Sequence, residues 1–213
     1  ANNSTTFEPT LLRNASSLLQ GPEGTNVTLE VSRDGRSLTH PLTRKRLRDR
    51  TVRVTNLGKG WALAEISRFQ RNTASDLQQG LQVVAPRTGV IIDLRGNAGG
   101  LLDEAVDVVN LFVNSGTIVE TRGPNDVSLE SHKATANTPY EKLRTIALTD
   151  GDSASASEIV AGSMRSLAGT TLVGTPTYGK WSVQRMYVFE DQSAIKLTVA
   201  RYHIDDAQSG TDL

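Results

Sequence analysis

The segment Gly89-Val90-Ile91-Ile92-Asp93-Leu94 constrains the fold of this chain more than any other. A short run of β-branched and leucine side chains reads as a buried strand, and buried strands belong to parallel sheets covered by helices. It leads directly into Arg95-Gly96-Asn97-Ala98-Gly99-Gly100 and then residues 101–113. There Leu102, Ala105, Val106, Val109 and Phe112 share one helical face, while Asp103, Glu104, Asp107 and Asn110 lie elsewhere. Strand, glycine loop and amphipathic helix in that order are half of a βαβ unit.

The same logic recurs along the chain. Residues 52–54 and Trp61 to Ile66 read as strands, 73–85 as a helix, 117–120 and 145–148 as strands, 155–167 as a helix and 171–173 as a strand. The implied class is α/β, a parallel sheet with helical crossovers. Residues 121–139 are polar and rich in Gly, Asn, Thr and Ser, and are expected to form a long surface loop. A C-terminal hairpin follows, with strands 181–189 and 194–202 joined by Glu190-Asp191-Gln192-Ser193.

Upstream the pattern changes. Leu11, Leu12, Ala15, Leu18 and Leu19 predict a helix over 10–20, stopped by Gly21-Pro22-Glu23-Gly24; Val27, Leu29 and Val31 begin a hairpin turned at Asp34-Gly35 and returned by Ser37 to Leu42. This α+β unit, residues 1–43, has too little core to stand alone and is expected to need chain upstream of Ala1. Residues 44–213 form the larger unit. The basic run from Arg44 to Arg50 between them is read as a solvated linker rather than a nucleic-acid patch, because it is short and interrupted by Asp49.

Composition narrows the chemistry. With 23 basic and 23 acidic residues among 213, the formal charge is zero, so charge implies neither a nucleic acid nor an anionic membrane as partner. The absence of cysteine excludes disulfides, thiol nucleophiles and thiolate metal sites, leaving oxygen or amine nucleophiles. No apolar run approaches the roughly 20 residues of a membrane span, and the residues from Ala1 onward do not read as the charged, apolar and cleavage regions of a signal peptide.

Three loops follow strands in the larger unit, where α/β folds place ligand-binding atoms. The first is Arg95 to Gly100, whose glycines permit a sharp turn and exposed N–H groups, although a purely geometric turn explains it equally. The second is Asp150-Gly151-Asp152-Ser153-Ala154-Ser155-Ala156-Ser157-Glu158. Ser155 and Glu158 fit a capping box; the alternative is a serine nucleophile on a tight strand-to-helix turn, favoured by the helix dipole.

The third loop, Gly174-Thr175-Pro176-Thr177-Tyr178-Gly179-Lys180-Trp181, matches G-x4-G-K of a phosphate-binding loop, with Trp181 at the metal-binding Ser/Thr position. A phosphate loop must run into a helix, and the alternation of residues 181–189 predicts a strand, so no nucleotide partner is expected. Lys180 is then either a surface lysine or a base. A lysine acts as a base only where burial disfavours its charge, moving its pKa from about 10.4 towards 7, roughly 4 kcal/mol. His40, His132 and His203 lie in the small unit, the polar loop and the chain's end, so a Ser-His-Asp arrangement has no obvious home.

The blocks G-V-I-I-D-L-R-G-N-A-G-G-L-L-D-E-A-V-D, S-A-S-A-S-E-I-V-A-G, T-Y-G-K-W-S-V-Q and the later A-R-Y resemble those of the carboxy-terminal processing, or tail-specific, serine proteases, from about Gly21 to Tyr202. The resemblance implies a crotonase- or ClpP-like βαβ core and a Ser–Lys dyad. Ser155 is its nucleophile, Lys180 its base 25 positions later and Gln184 the residue that positions the lysine. It implies an oxyanion hole from backbone N–H groups of Gly99 or Gly100 and of Ala156, with no metal or organic cofactor. Residues 1–43 then resemble the latter part of a PDZ domain, which would dock substrate C-termini. The partners implied are protein or peptide substrates, and the location extracytoplasmic: periplasm, cell envelope or thylakoid lumen.

Two positions depart from the family pattern. Trp181 stands where the family has the second glycine of G-K-G, and Asp152 stands where a glycine precedes S-A-S-A-S. The chain is also expected to stop before the family's last sheet strand. With a partial PDZ region, these departures motivate the alternative of a peptide-binding protein that keeps the fold without turnover.

Overall fold

Residues 18–45, 50–136 and 138–204 are described by a computed structural model, in which the chain separates into residues 1–49 and residues 50–213. In the first unit β1 (Asn26–Arg33) and β2 (Arg36–Thr43) pair antiparallel, Asn26 opposite Thr43 and Arg33 opposite Arg36. The turn between them has φ of 53° at Asp34 and 72° at Gly35. An Asp-Gly pair tolerates such positive values, and they match the twist of the flanking strands. Of the helix expected over 10–20, Leu18 and Leu19 are helical; residues 1–17 lie outside the described residues.

Arg44, assigned from sequence to a solvated linker, has a structural task instead. Its guanidinium donates to the carbonyls of Leu19 at 2.8 Å, Leu18 at 3.1 Å and Asn26 at 3.0 Å, and to Thr25 Oγ1 at 3.0 Å. A helix end leaves carbonyls without partners, and one planar cation satisfies two of them while gripping the hairpin.

The second unit runs β3 (Val52–Gly58), β4 (Trp61–Ile66), α1 (Thr73–Val84), β5 (Gly89–Asp93), α2 (Leu102–Asn110), β6 (Thr117–Arg122), β7 (Ser128–Lys133), β8 (Arg144–Thr149), α3 (Ala156–Ala168), β9 (Thr171–Gly174), β10 (Ser182–Val188) and β11 (Ala194–His203). A five-stranded sheet has the order β3-β4-β5-β8-β9, parallel except for the β3–β4 hairpin. Ala62, Ala64 and Ile66 of β4 and Val90 and Ile92 of β5 are buried in one apolar cluster with Leu77 and Leu81 of α1, Val108 and Val109 of α2, and Ile159, Val160 and Met164 of α3. Every residue of α3 from Ala156 to Met164 is buried. Small side chains allow a helix to be enclosed so completely, and the buried Ser163 hydroxyl donates to the Ile118 carbonyl at 2.6 Å rather than remaining unpaired.

A second sheet, β10-β11-β6-β7, is antiparallel throughout. It corrects two expectations. β6 does not extend the parallel sheet; it pairs with β7 and with β11, placing Arg122 opposite Arg201 and His203 opposite Glu120. Residues 121–139 are not a continuous loop, because they contain a 3-10 turn at Pro124–Asp126 and the strand β7. The sequence Ser-Leu-Glu-Ser-His-Lys carries no apolar alternation and stays almost wholly exposed, so backbone pairing with β6 makes this strand and burial does not.

Candidate active site

Because β5, β8 and β9 are adjacent and parallel, the loops after them leave the sheet side by side. The first and second loops are stitched together. Gly96 N–H donates to the Asp150 carboxylate at 3.0 and 3.1 Å, and the Asn97 carbonyl accepts from Ala154 N–H at 3.0 Å. The buried Asn97 side chain donates to the Ile66 carbonyl at 2.8 Å and accepts Gly99 N–H at 2.9 Å. The third loop leans on the second through Tyr178 N–H to the Ser153 carbonyl at 3.0 Å.

This stitching separates the three serines of S-A-S-A-S. Ser153 Oγ donates to the Leu94 carbonyl and Ser157 Oγ to the Asn97 carbonyl, each at 2.8 Å, and both residues are fully buried. Ser155 lies between them, part-exposed, as the N-cap of α3 with φ 57° and ψ −114°. A non-glycine residue in such a conformation stores strain of about 1–3 kcal/mol, held by its surroundings. Ser155 N–H donates to Glu158 Oε2 at 2.7 Å as in a capping box, and Glu158 N–H reaches the Ser155 carbonyl at 2.9 Å.

Beside Ser155 the backbone leaves open space at Gly99. A Cβ on Gly99 would lie 2.9 Å from Ser155 Cβ and 3.0 Å from the Ala156 nitrogen, so the missing side chain keeps this space open. Gly99 has φ of 99°. Its own N–H is taken by Asn97, whereas among the described residues those of Gly100 and Ala156 have no acceptor. Of the alternatives Gly99 and Gly100, only the latter has its N–H without an acceptor among the described residues; Ala156 opens the first turn of α3.

A cavity of about 720 Å³ opens here, lined by Ala98, Ala154, Tyr178 and Asp152 from the loops and by Lys180 and Gln184. Lys180 is half-buried and enters β10, which continues as a strand; Gln184 lies on β10 opposite Thr198, just after a β-bulge. Trp181 is buried and does not line the cavity. Neither do the three histidines. What joins Ser155 to Lys180 is main chain: among the described residues no side-chain hydrogen bond links them, but Lys180 N–H donates to Glu158 Oε2 at 2.9 Å, the atom that also takes Ser155 N–H. Catalytic hydrogen bonds often tighten only once substrate is bound.

Two acids brace the loops. The Arg95 guanidinium, bonded to both Asp93 oxygens at 2.9 and 2.6 Å, holds the Asp93 carboxyl below its ordinary range. Asp150 is likewise lowered, first by Gly96 N–H and further by Asp152 N–H and by the Ser153 hydroxyl and N–H. Sequence reasoning missed Asn97, Asp150 and Thr177 and saw Glu158 only as a cap. A polar residue within a glycine loop and an acid three before a serine were the available signals, and both are common in ordinary turns. Among the described residues no group of three or more His, Asp or Glu side chains could hold a metal ion.

Fold and site define a class first: an α/β protein in which a strained serine at a helix N-terminus meets a glycine loop and a lysine loop across adjacent parallel strands. The family follows from comparison. Residues 61–212, more than half of the chain, match the peptidase family S41, and the chain belongs to that family. It is 35% identical over 212 residues to the carboxy-terminal-processing protease of Bartonella bacilliformis, covering 95% of this chain and 48% of that protein. It is 31% identical to the carboxy-terminal processing protease CtpA of Bacillus subtilis, covering 91% of this chain and 42% of that one. Among solved structures it resembles a photosystem II D1 C-terminal processing protease, with TM-score 0.68 and 26% identity, covering 94% of this chain and 57% of that one. The chain thus spans about half the length of the relatives it matches.

Proposed function

We propose that this chain carries the catalytic core of a serine endopeptidase that cleaves protein substrates near their C-termini. The observation that supports it most is the shared Glu158 Oε2, which accepts the N–H of Ser155, on its strained turn, and the N–H of Lys180, a residue that lines one cavity with Gln184. In the reaction Ser155 Oγ forms a bond to the scissile carbonyl carbon while its proton passes to the Lys180 amine. N–H groups of Gly100 and Ala156 hold the resulting oxyanion. The C–N bond then breaks, the proton leaves with the amine product, and water releases the acyl group from Ser155. Gln184 orients the lysine across the cavity.

The same reading makes residues 44–213 a crotonase- or ClpP-like core, residues 1–43 part of a PDZ domain that engages substrate C-termini, and the location extracytoplasmic. No described helix is long and apolar enough to cross a membrane. The test is a pair of variants. Ser155→Ala and Lys180→Ala each reduce peptide cleavage by at least about 10³-fold with unchanged melting temperature, and each suppresses labelling of position 155 by a serine-reactive phosphonate. A folded, active Lys180→Ala variant eliminates the dyad. A wild-type protein that neither cleaves nor labels overturns the reading.

A further inference from the structure

The carboxylate of Glu158 has more partners than a helix cap requires. It is fully buried and accepts four donors: Ser155 N–H at 2.7 Å and Lys180 N–H at 2.9 Å on Oε2, Gly179 N–H at 2.6 Å and the Thr177 hydroxyl at 2.8 Å on Oε1. A buried charge is tolerated only when its lone pairs are satisfied, and here two oxygens accept four donors, none from a cation. Three of those donors come from residues 177–180 and none from the sheet beneath, so this carboxylate is a principal anchor of the segment carrying Lys180.

We infer that Glu158 is a positioning residue for the Ser155–Lys180 pair, fixing the main chain of nucleophile and base to a single oxygen atom. The inference rests on the dyad proposed above. Its physical content is geometric. Ser155 is the N-cap of α3 and Lys180 lies two residues before β10 of the second sheet, and Oε2 is the point at which the two backbones share a hydrogen-bond acceptor. With Ser155 N–H directed to Glu158, the oxyanion donor on this turn is the next residue, Ala156. Glu158 therefore also selects which amide faces the substrate carbonyl.

Glu158→Gln tests this because it keeps the size and removes the symmetry. An amide presents one acceptor oxygen and one NH2 donor, so one pair of N–H or O–H donors must face a donor. The Thr177 hydroxyl can reverse and accept; Gly179 N–H cannot. The variant should stay folded with KM within threefold of wild type, while kcat and the rate of phosphonate labelling at Ser155 fall together by about 10²-fold. Thr177→Val, which removes one side-chain donor and no backbone donor, should lower kcat several-fold, and Thr177→Ser should restore it. The inference fails if folded Glu158→Gln retains kcat within threefold, or if KM rises while kcat holds. Should Glu158→Gln not fold, the Thr177 pair decides: equal kcat in Thr177→Val and Thr177→Ser overturns it. An active Ser155→Ala control would instead remove the dyad itself, so the two failures are distinguishable.

Discussion

The two halves of the site are built differently. Ser155 sits in a turn closed by buried side chains, with Ser153, Ser157 and Asn97 hydrogen-bonded to neighbouring carbonyls and α3 enclosed behind it. Lys180 lies just before, and Gln184 on, a hairpin with several exposed apolar side chains: Met186 is 61% exposed, Val188 64% and Phe189 53%. The positive φ of Ser155 requires a dense surround to hold it. The segment carrying Lys180 is instead anchored by its backbone, through Glu158 and Ser153. Rigidity is concentrated where geometry is least forgiving.

The sharpest way to break this contrast is at Gly99. Gly99→Ala places a Cβ 2.6 Å from the Ala154 carbonyl oxygen and 3.0 Å from the Ala156 nitrogen at a φ of 99°. It should lower kcat by about 10²–10³-fold and the melting temperature as well, measured by peptide cleavage and calorimetry. Ser157→Ala comes next. Loss of its buried hydrogen bond to Asn97 should cost about 1–3 kcal/mol of stability in denaturant titration, yet Ser155 should still label, since only the support is removed.

Asp150 gives a pH-dependent effect of smaller size. Its folded pKa lies below the ordinary 3.8, so its contribution is present above that value and lost as pH falls through the folded value. The melting-temperature gap between wild type and Asp150→Asn should therefore be widest near neutrality and close below pH 3.8. On the other side of the comparison, Val188→Thr on the exposed hairpin should change stability by no more than about 0.5 kcal/mol. A larger loss by the same denaturant titration would mean that this hairpin is as tightly supported as the nucleophile's turn.

Periodicity and turn chemistry made much of the fold legible. The apolar run at Gly89–Asp93 is a central strand, the amphipathic face at 102–110 is buried, and Asp34-Gly35 turns its hairpin. Strands without an apolar pattern were not legible. β7 exists because β6 offers it backbone partners, and β6 itself carries apolar side chains that suit either sheet, so its place was decided by what it packs against. Arg44 shows the same limit for charge: a basic run looks solvated until a helix end and a hairpin converge on one guanidinium.

At the site, the sequence alone determined which residues could do chemistry: three loops of glycine, serine and lysine in order, each following a strand. It could not tell the three serines apart, because a hydroxyl's role depends on which carbonyl lies opposite it, and those carbonyls belong to Leu94 and Asn97 about 60 positions away. Nor could it see more in Glu158 than a cap. Only the tertiary structure brought Thr177, Gly179 and Lys180, 19 to 22 residues distant, onto that carboxylate. Hydrogen-bond partners across a fold are set by where strands and loops end in space, and no local pattern records that position.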